Sequence, residues 1–360
     1  MWGLSRGIPA YPRNVVTTPR SVVTTDPVLV LPSLSADLVR VEERLRAEVR
    51  CDLDFLSTVA RHLIGAGGKR IRPGLTIAAA GIADPEGRSC SDDVVAGAVA
   101  VELVHMGSLY HDDVIDGATT RRNVASVNAT WGNATAILTG DFLLARASQI
   151  AANLGTEVAG LLAATIGRLC EGQIREYQDA FNCDRTVRDY ELSITGKTAS
   201  LLAASCRIGA IVAGLPPALT EALADFGHSY GMAFQIVDDI LDVISTEDML
   251  GKPAGHDLRE GNYTLPVLLA VQSPAGEQLR SILGPGLSPA DVALARRIIR
   301  SGSGIMEAYA AASVWADRAA SALTDLPDTP AAAALRVAAD HLLGRVGSSE
   351  ISDRSGAVTD

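Results

Sequence analysis

The sequence predicts an all-α protein, built as one helical domain over residues 35–345. Three observations predict it. Apolar residues make up 48% of the chain and aromatics only 4%, with Ala and Leu dominant, which favours a large aliphatic core of helices. Apolar residues recur at helical intervals, as in Leu38, Val41, Leu45 and Val49. Strands do not alternate with helices and no G-x-G-x-x-G follows a strand, so Rossmann and P-loop readings have no support. The 360-residue length by itself suggests two domains, but that prior is soft, and only a short acidic motif repeats.

Residues 1–34 carry Pro, Thr, Ser and Val without helical period and read as a mobile N-terminal arm. Ser35-Ala36-Asp37 offers a cap for the first helix, and a second helix covers Leu53 to Ile64, ending at the breaker Gly65-Ala66-Gly67-Gly68. Residues 74–82 form a small-residue helix and 83–91 a loop. The helix over 92–116 ends in Asp112-Asp113-Val114-Ile115-Asp116, and a polar loop follows at 117–123. Helices then cover Ala134 to Asn153 and Val158 to Asp179, and another begins near Arg185 and carries Gly196-Lys197-Thr198. Helical runs over 218–244 end in a second acidic motif, Asp238-Asp239-Ile240-Leu241-Asp242. The remaining helices run from Leu265 to Arg345, interrupted at Pro285-Gly286 and at Pro327 and Pro330, and residues 346–360 read as a disordered tail.

The two acidic motifs carry the chemistry. Residues i and i+4 share a helix face, so the first and last carboxylates of each D-D-x-x-D point the same way. Carboxylates crowded on an apolar helix repel unless a cation lies between them. Mg²⁺ takes a few carboxylates together with substrate phosphates. One such motif alone is usually a solvated helix face; two, each flanked by basic residues, make a diphosphate site clamped by Mg²⁺. Lys69-Arg70-Ile71-Arg72-Pro73 follows the glycines, whose tight turn lets backbone approach an anion. Read alone it is a basic helix end balancing a dipole; beside the acidic motifs it is a candidate diphosphate pocket. His105 lies two turns before Asp112 on the same side, as a core histidine or a diphosphate ligand. Arg121 and Arg122 stand just beyond the first motif, where guanidinium forks suit phosphate oxygens, and Lys252 adds a cation near the second.

A net charge of −11 argues against a nucleic-acid partner. Five scattered cysteines without C-x-x-C read as free thiols in a reducing cytoplasm. No run of 18 apolar residues marks a transmembrane helix, and the proline-bearing N-terminus does not read as a secretory signal.

These stretches resemble the trans-isoprenyl diphosphate synthase (polyprenyl synthetase) family. The matching segments are Gly67 to Pro73, Glu102 to Asp116, Arg121-Arg122, Gly196-Lys197-Thr198, Phe234 to Asp242 and Gly251 to Pro266, in the family's order across nearly the whole domain. The resemblance implies an isoprenoid synthase-type helical bundle around a central apolar cavity, usually a homodimer. It implies Mg²⁺, about three ions per active site, on Asp112, Asp116, Asp238 and Asp242. Lys69, Arg72, His105 and Arg122 would hold isopentenyl diphosphate. Arg121, Lys197, Thr198, Gln235 and Lys252 would hold an allylic prenyl diphosphate. Two positions depart from the pattern: Asn123 stands where the family usually has Gly, and Asn262 where many members have Lys.

Product length is read from the residues below the first motif. Gly107 and Ser108 lie about 6 to 7.5 Å deeper than Asp112 along the helix. A bulky aromatic stands there in short-chain members of the resembled family; small residues imply either an open floor or close helix packing. The open floor implies a long product, about C30 to C50 against about C15 to C20 for the short-chain alternative, with the stop set near Val101, Val104, Phe142 or Leu143. A class I terpene cyclase fits less well, because both D-D-x-x-D motifs are present and aromatics are few. A non-catalytic partner subunit fits less well because neither motif is lost.

Overall fold

A computed structural model describes residue 31, residues 33–245 and residues 255–355. Lys252 and the stretches 1–30 and 356–360 lie outside the described residues. The first helix, α1, spans Leu34–Glu48 and begins ahead of the expected Ser35-Ala36-Asp37 cap. Asp37 is fully buried instead, 2.8 Å from Arg40 and accepting a hydrogen bond from the backbone N of Cys90 at 3.2 Å. It ties α1 to the loop ahead of the fourth helix. After α2 (Asp54–Gly65) the chain turns through Gly67 and Gly68, both at positive φ, and through Arg70 at φ 49°. Helix α3 (Ile71–Ala80) starts three residues before the expected 74, because Pro73 sits in its first turn, where no N–H is needed.

Helix α4 (Asp92–Ile115) is capped by Ser91, whose Oγ accepts from the N of Val94 at 3.3 Å. It is long and apolar enough to cross a bilayer by composition, but most of it is buried inside the bundle. The loop read at 117–123 folds in part as a hairpin, β1 (Thr120–Arg121) against β2 (Val124–Ala125). Its two central residues, Arg122 and Asn123, have φ of 53° and 61°. A two-residue hairpin turn requires this, and Asn tolerates it better than other side chains apart from the family's glycine. The departure at 123 therefore keeps the turn.

The chain continues through α5 (Val127–Trp131), α6 (Asn133–Asn153), α7 (Thr156–Gln178) and α8 (Val187–Ile194). A π-helical turn over Thr195–Ala199 leads into α9 (Ser200–Val212) and then α10 (Pro217–Ile244). Beyond the second motif come α11 (His256–Glu260), α12 (Leu265–Val271), α13 (Gly276–Ile282), α14 (Pro289–Ser301) and α15 (Gly304–Ala322). Helix α16 begins at Pro330 and keeps helical backbone to Ser355, past the residue 346 at which the sequence suggests a tail.

Two apolar clusters fill the molecule and share α10. Leu223, Phe226, Tyr230 and Ala233 belong to the larger, which gathers α1 to α4, α6 and α9; Met232, Ile236, Val237 and Ile240 belong to the other, with α12, α14 and α15. Helix α9 packs against α3, α4 and α10. It approaches α3 so closely that a Cβ on Gly209 would overlap the carbonyl of Thr76. A Cβ on Gly231 of α10 would stand 2.6 Å from Cα of Ala199. Gly107 serves the same purpose between α4 and α6: its Cβ would lie 3.1 Å from the carbonyl oxygen of Gly140 and 3.2 Å from Leu144. The open floor expected at Gly107 is therefore corrected. Its small size is used for helix packing, while the neighbouring Ser108 remains partly exposed.

Arg70 locks α1, α3 and α4 together from a fully buried position, pairing with Glu42 and, at 2.8 Å, with Glu102. Arg70→Met leaves the buried Glu102 carboxylate without its ion-pair partner and Glu42 with Arg46 alone, and should cost about 3–5 kcal/mol, read as a lower urea midpoint. Gly209→Ala should cost about 1–3 kcal/mol or prevent folding, whereas Gly65→Ala, with nothing within 4 Å of its added Cβ, should be neutral or slightly stabilising in the same measurement.

Candidate active site

The first motif closes α4. Its middle residue, Asp113, turns away from the other two and is buried, accepting from Arg121 Nη2 at 2.6 Å and Nε at 2.7 Å. Asn128 Nδ2 donates to its backbone oxygen at 2.9 Å. Asp113 thus anchors the hairpin that carries the arginine pair. Asp112 and Asp116 stand one turn apart. Burial pushes Asp112 up to about 6, with Asp116 and Glu176 adding to the rise and Lys197 and Arg121 opposing it. Burial also raises Asp116, at the rim, with Glu176 and Asp113 adding to the rise and Lys197 and Arg121 opposing it.

Lys197 faces these carboxylates from the π turn. Gly172 of α7 presses against this turn so tightly that a Cβ there would overlap the backbone N of Lys197. A π turn widens the helix by one residue and is often found at functional sites; here it brings the Lys197 ammonium onto Glu176, one turn beyond Gly172. Burial works against the charge on Lys197, but Glu176, Asp112 and Asp116 outweigh it and hold its pKa above the ordinary value.

The second motif, on α10, divides its labour in the same way. Asp238 is partly exposed and accepts from Arg345 Nη2 at 2.8 Å. Asp239 is buried, taking a hydrogen bond from the Tyr190 hydroxyl and another from Gln235 Nε2 at 2.8 Å. Gln235 Oε1 in turn accepts from Thr198 Oγ1 at 2.7 Å, so Thr198, Gln235 and Asp239 form one line. Burial lifts the Asp239 carboxyl above the usual range despite those bonds. Asp242 is buried too, and its Oδ2 accepts from the N of Asp257 at 3.3 Å at the start of α11. Asn262, the other departure, accepts from the buried Arg185 Nη1 at 3.3 Å.

The basic segment contributes to a separate cluster of cations. Arg122 donates to the carbonyls of Gly67 and, at 3.4 Å, of Leu63, holding the glycine turn. Arg72 is partly buried, and its Nε, shut off from solvent, has no hydrogen-bond partner among the described residues. Burial takes Arg72 down to about 10, against the pull of Glu102 and with Arg122 adding to the fall; Asp238 also lies within its electrostatic reach. His105 is held neutral, well below its ordinary value, by burial and then by Arg72, Arg122, Arg70 and Arg121. Lys69 is exposed at the edge. Several desolvated cations with an unused N–H are suited to a bound polyanion.

Among the described residues no three His, Cys, Asp or Glu side chains converge into a metal cage. Hard oxygen donors are held two to a side, on Asp112 and Asp116 and on Asp238 and Asp242. That donor set fits Mg²⁺, which binds through one or two carboxylates plus substrate phosphates rather than an all-protein cage. Glu176, Tyr190 and Arg345 escape sequence reasoning. Glu176 follows Gly172 by four residues, a spacing with no meaning until the π turn is known. Tyr190 and Arg345 meet the second motif across 49 and 107 residues, which no local pattern signals.

Residues 54–300 match the family model described as Polyprenyl synthetase. The chain is 42% identical over 304 residues to heptaprenyl diphosphate synthase component 2 of Geobacillus stearothermophilus, covering 84% of this chain and 94% of that one. It is 39% identical over 319 residues to a nonaprenyl diphosphate synthase of Mycobacterium tuberculosis, covering 88% and 94%. The fold superposes on a polyprenyl synthase from Caulobacter crescentus, solved with calcium and isoprenyl diphosphate, with TM-score 0.82 and 34% identity over 90% of this chain and 99% of that one.

Asp112→Asn removes a partly buried charge. The folded-state pKa of Asp112 is raised from 3.8 to about 6, so the stability its protonated form lends is lost as pH rises through that window. In metal-free buffer at pH 8 the variant should melt at or above the parent, with the gain gone below pH 4, while turnover with Mg²⁺ falls by about 10²-fold or more. A lower melting temperature at pH 8 would contradict the assignment of cost to this carboxylate.

Proposed function

The chain belongs to the polyprenyl synthetase family, and from that premise we propose that it condenses isopentenyl diphosphate with an allylic prenyl diphosphate to extend an all-trans chain. The observation that carries the reading is the pairing of two anion sites: the desolvated cluster of Arg72, His105 and Arg122 beside the facing ends of α4 and α10. One diphosphate would need only one of them.

Lys69, Arg72, His105 and Arg122 hold isopentenyl diphosphate in this reading. Arg121, Lys197, Thr198, Gln235 and Lys252 hold the allylic diphosphate. Asp112, Asp116, Asp238 and Asp242 hold Mg²⁺, which when bound supplies positive charge to the leaving diphosphate. Lys197 presents its ammonium to the oxygens that gain charge as the allylic C–O bond breaks. The allylic carbocation takes the electron pair of the isopentenyl double bond, forming the new C–C bond. A proton then leaves the neighbouring carbon for the departing diphosphate. The Ala- and Leu-lined helices exclude water that would quench the cation.

A long product, about C30 to C50, is supported by Ser108 and by the names of the relatives, while the buried Val101 and Val104 lie deeper on the same helix. A homodimer is supported by Ile137 and Leu138 on α6 and Ile174 and Tyr177 on α7, large apolar side chains left exposed. The five cysteines are all free, in keeping with a reducing cytoplasm.

The purified chain, incubated alone with Mg²⁺, isopentenyl diphosphate and farnesyl or geranylgeranyl diphosphate, should yield a ladder reaching about C30 or beyond after dephosphorylation. A stop at about C20 would reject the long product, and cyclic hydrocarbon would reject the condensation. Ser108→Phe should shorten the ladder with the fold intact, whereas Gly107→Phe should lower the melting temperature through its clash with Gly140.

A further inference from the structure

Glu176 has no place among the residues so far assigned a role, yet it stands where the fields of both acidic motifs overlap. It raises the pKa of Asp112, Asp116 and Asp239 alike. A carboxylate there adds to a repulsion that the site already has to offset. What it contributes in return is visible in the geometry. Its side chain is 15% exposed and bound to Lys197 Nζ. Two glycines bring the pair together: Gly172 lies against the backbone N of Lys197, and a Cβ on Gly196 would stand 2.6 Å from the carbonyl oxygen of Arg168. Helix α7 and the π turn therefore meet backbone to backbone, with Glu176 and Lys197 emerging side by side.

We propose that Glu176 is the positioning residue for Lys197, pinning its ammonium between α4 and α10 so that the remaining N–H bonds face the departing diphosphate. The inference rests on the reading of Lys197 as an allylic diphosphate ligand. A lysine has four rotatable bonds and loses much conformational freedom when fixed. Glu176 fixes it before substrate arrives, so the donor is already aimed when charge develops.

A double-mutant cycle tests this, with Glu176→Gln, Lys197→Ala and the pair assayed with each substrate varied separately, and melting temperatures taken in parallel. Glu176→Gln keeps size and packing. It should lower kcat by about 10- to 100-fold, leave KM for isopentenyl diphosphate within about twofold, and shift the melting temperature little. The double variant should be no slower than Lys197→Ala alone, because a residue acting through Lys197 has nothing left to position. Additive losses, or a normal kcat in Glu176→Gln, would overturn the inference while leaving the function of Lys197 intact. Normal turnover in Lys197→Ala would overturn both that assignment and this one.

Discussion

Taking charge out of water sets the terms at one end of this bundle. Helices α4 and α10 are core helices, and each ends in carboxylates that burial makes costly to ionise. The basic segment after α2 has the opposite problem, with Arg72, Arg122 and His105 desolvated beside one another. Neither set satisfies the other fully inside the protein. Lys197 answers the first motif, Arg345 the second, and Glu102 part of the basic cluster. In the proposed function a diphosphate with its cations corrects the remaining imbalance, so that affinity for substrate and the cost of the free site become two sides of one electrostatic arrangement.

Each acidic motif spends one carboxylate on structure. Asp113 holds the hairpin through Arg121, and Asp239 holds the Thr198–Gln235 line through Gln235 and Tyr190. The outer residues Asp112, Asp116 and Asp238 stay nearer the opening. Asp242 is more deeply buried, and one of its oxygens receives the N–H of Asp257 at the start of α11. The i, i+4 rule puts Asp238 and Asp242 on one face of α10, but a face one turn deeper meets different neighbours.

Glycine makes these placements possible. Helix α9 sits between α3 and α10, and the contacts at Gly209 and Gly231 leave no room for a side chain. The same economy at Gly172 brings the π turn against α7. Asn123 shows a different tolerance, since its left-handed backbone is available to Asn without glycine.

The helical class, the two acidic motifs, the basic segment and the family resemblance were all legible in the residues, because periodicity, charge pattern and spacing are local. Helix ends were legible to within a few residues; the first-turn place of Pro73 and the hairpin at 120–125 lie outside what a breaker or a polar stretch signals. Only the tertiary structure decided that Gly107 packs against Gly140 and that Asp37 is a buried anchor. It alone brought Glu176 to Lys197 and Arg345 to Asp238. Those outcomes depend on which helix lies opposite, and a one-dimensional pattern tells which face a residue occupies but not what that face will meet.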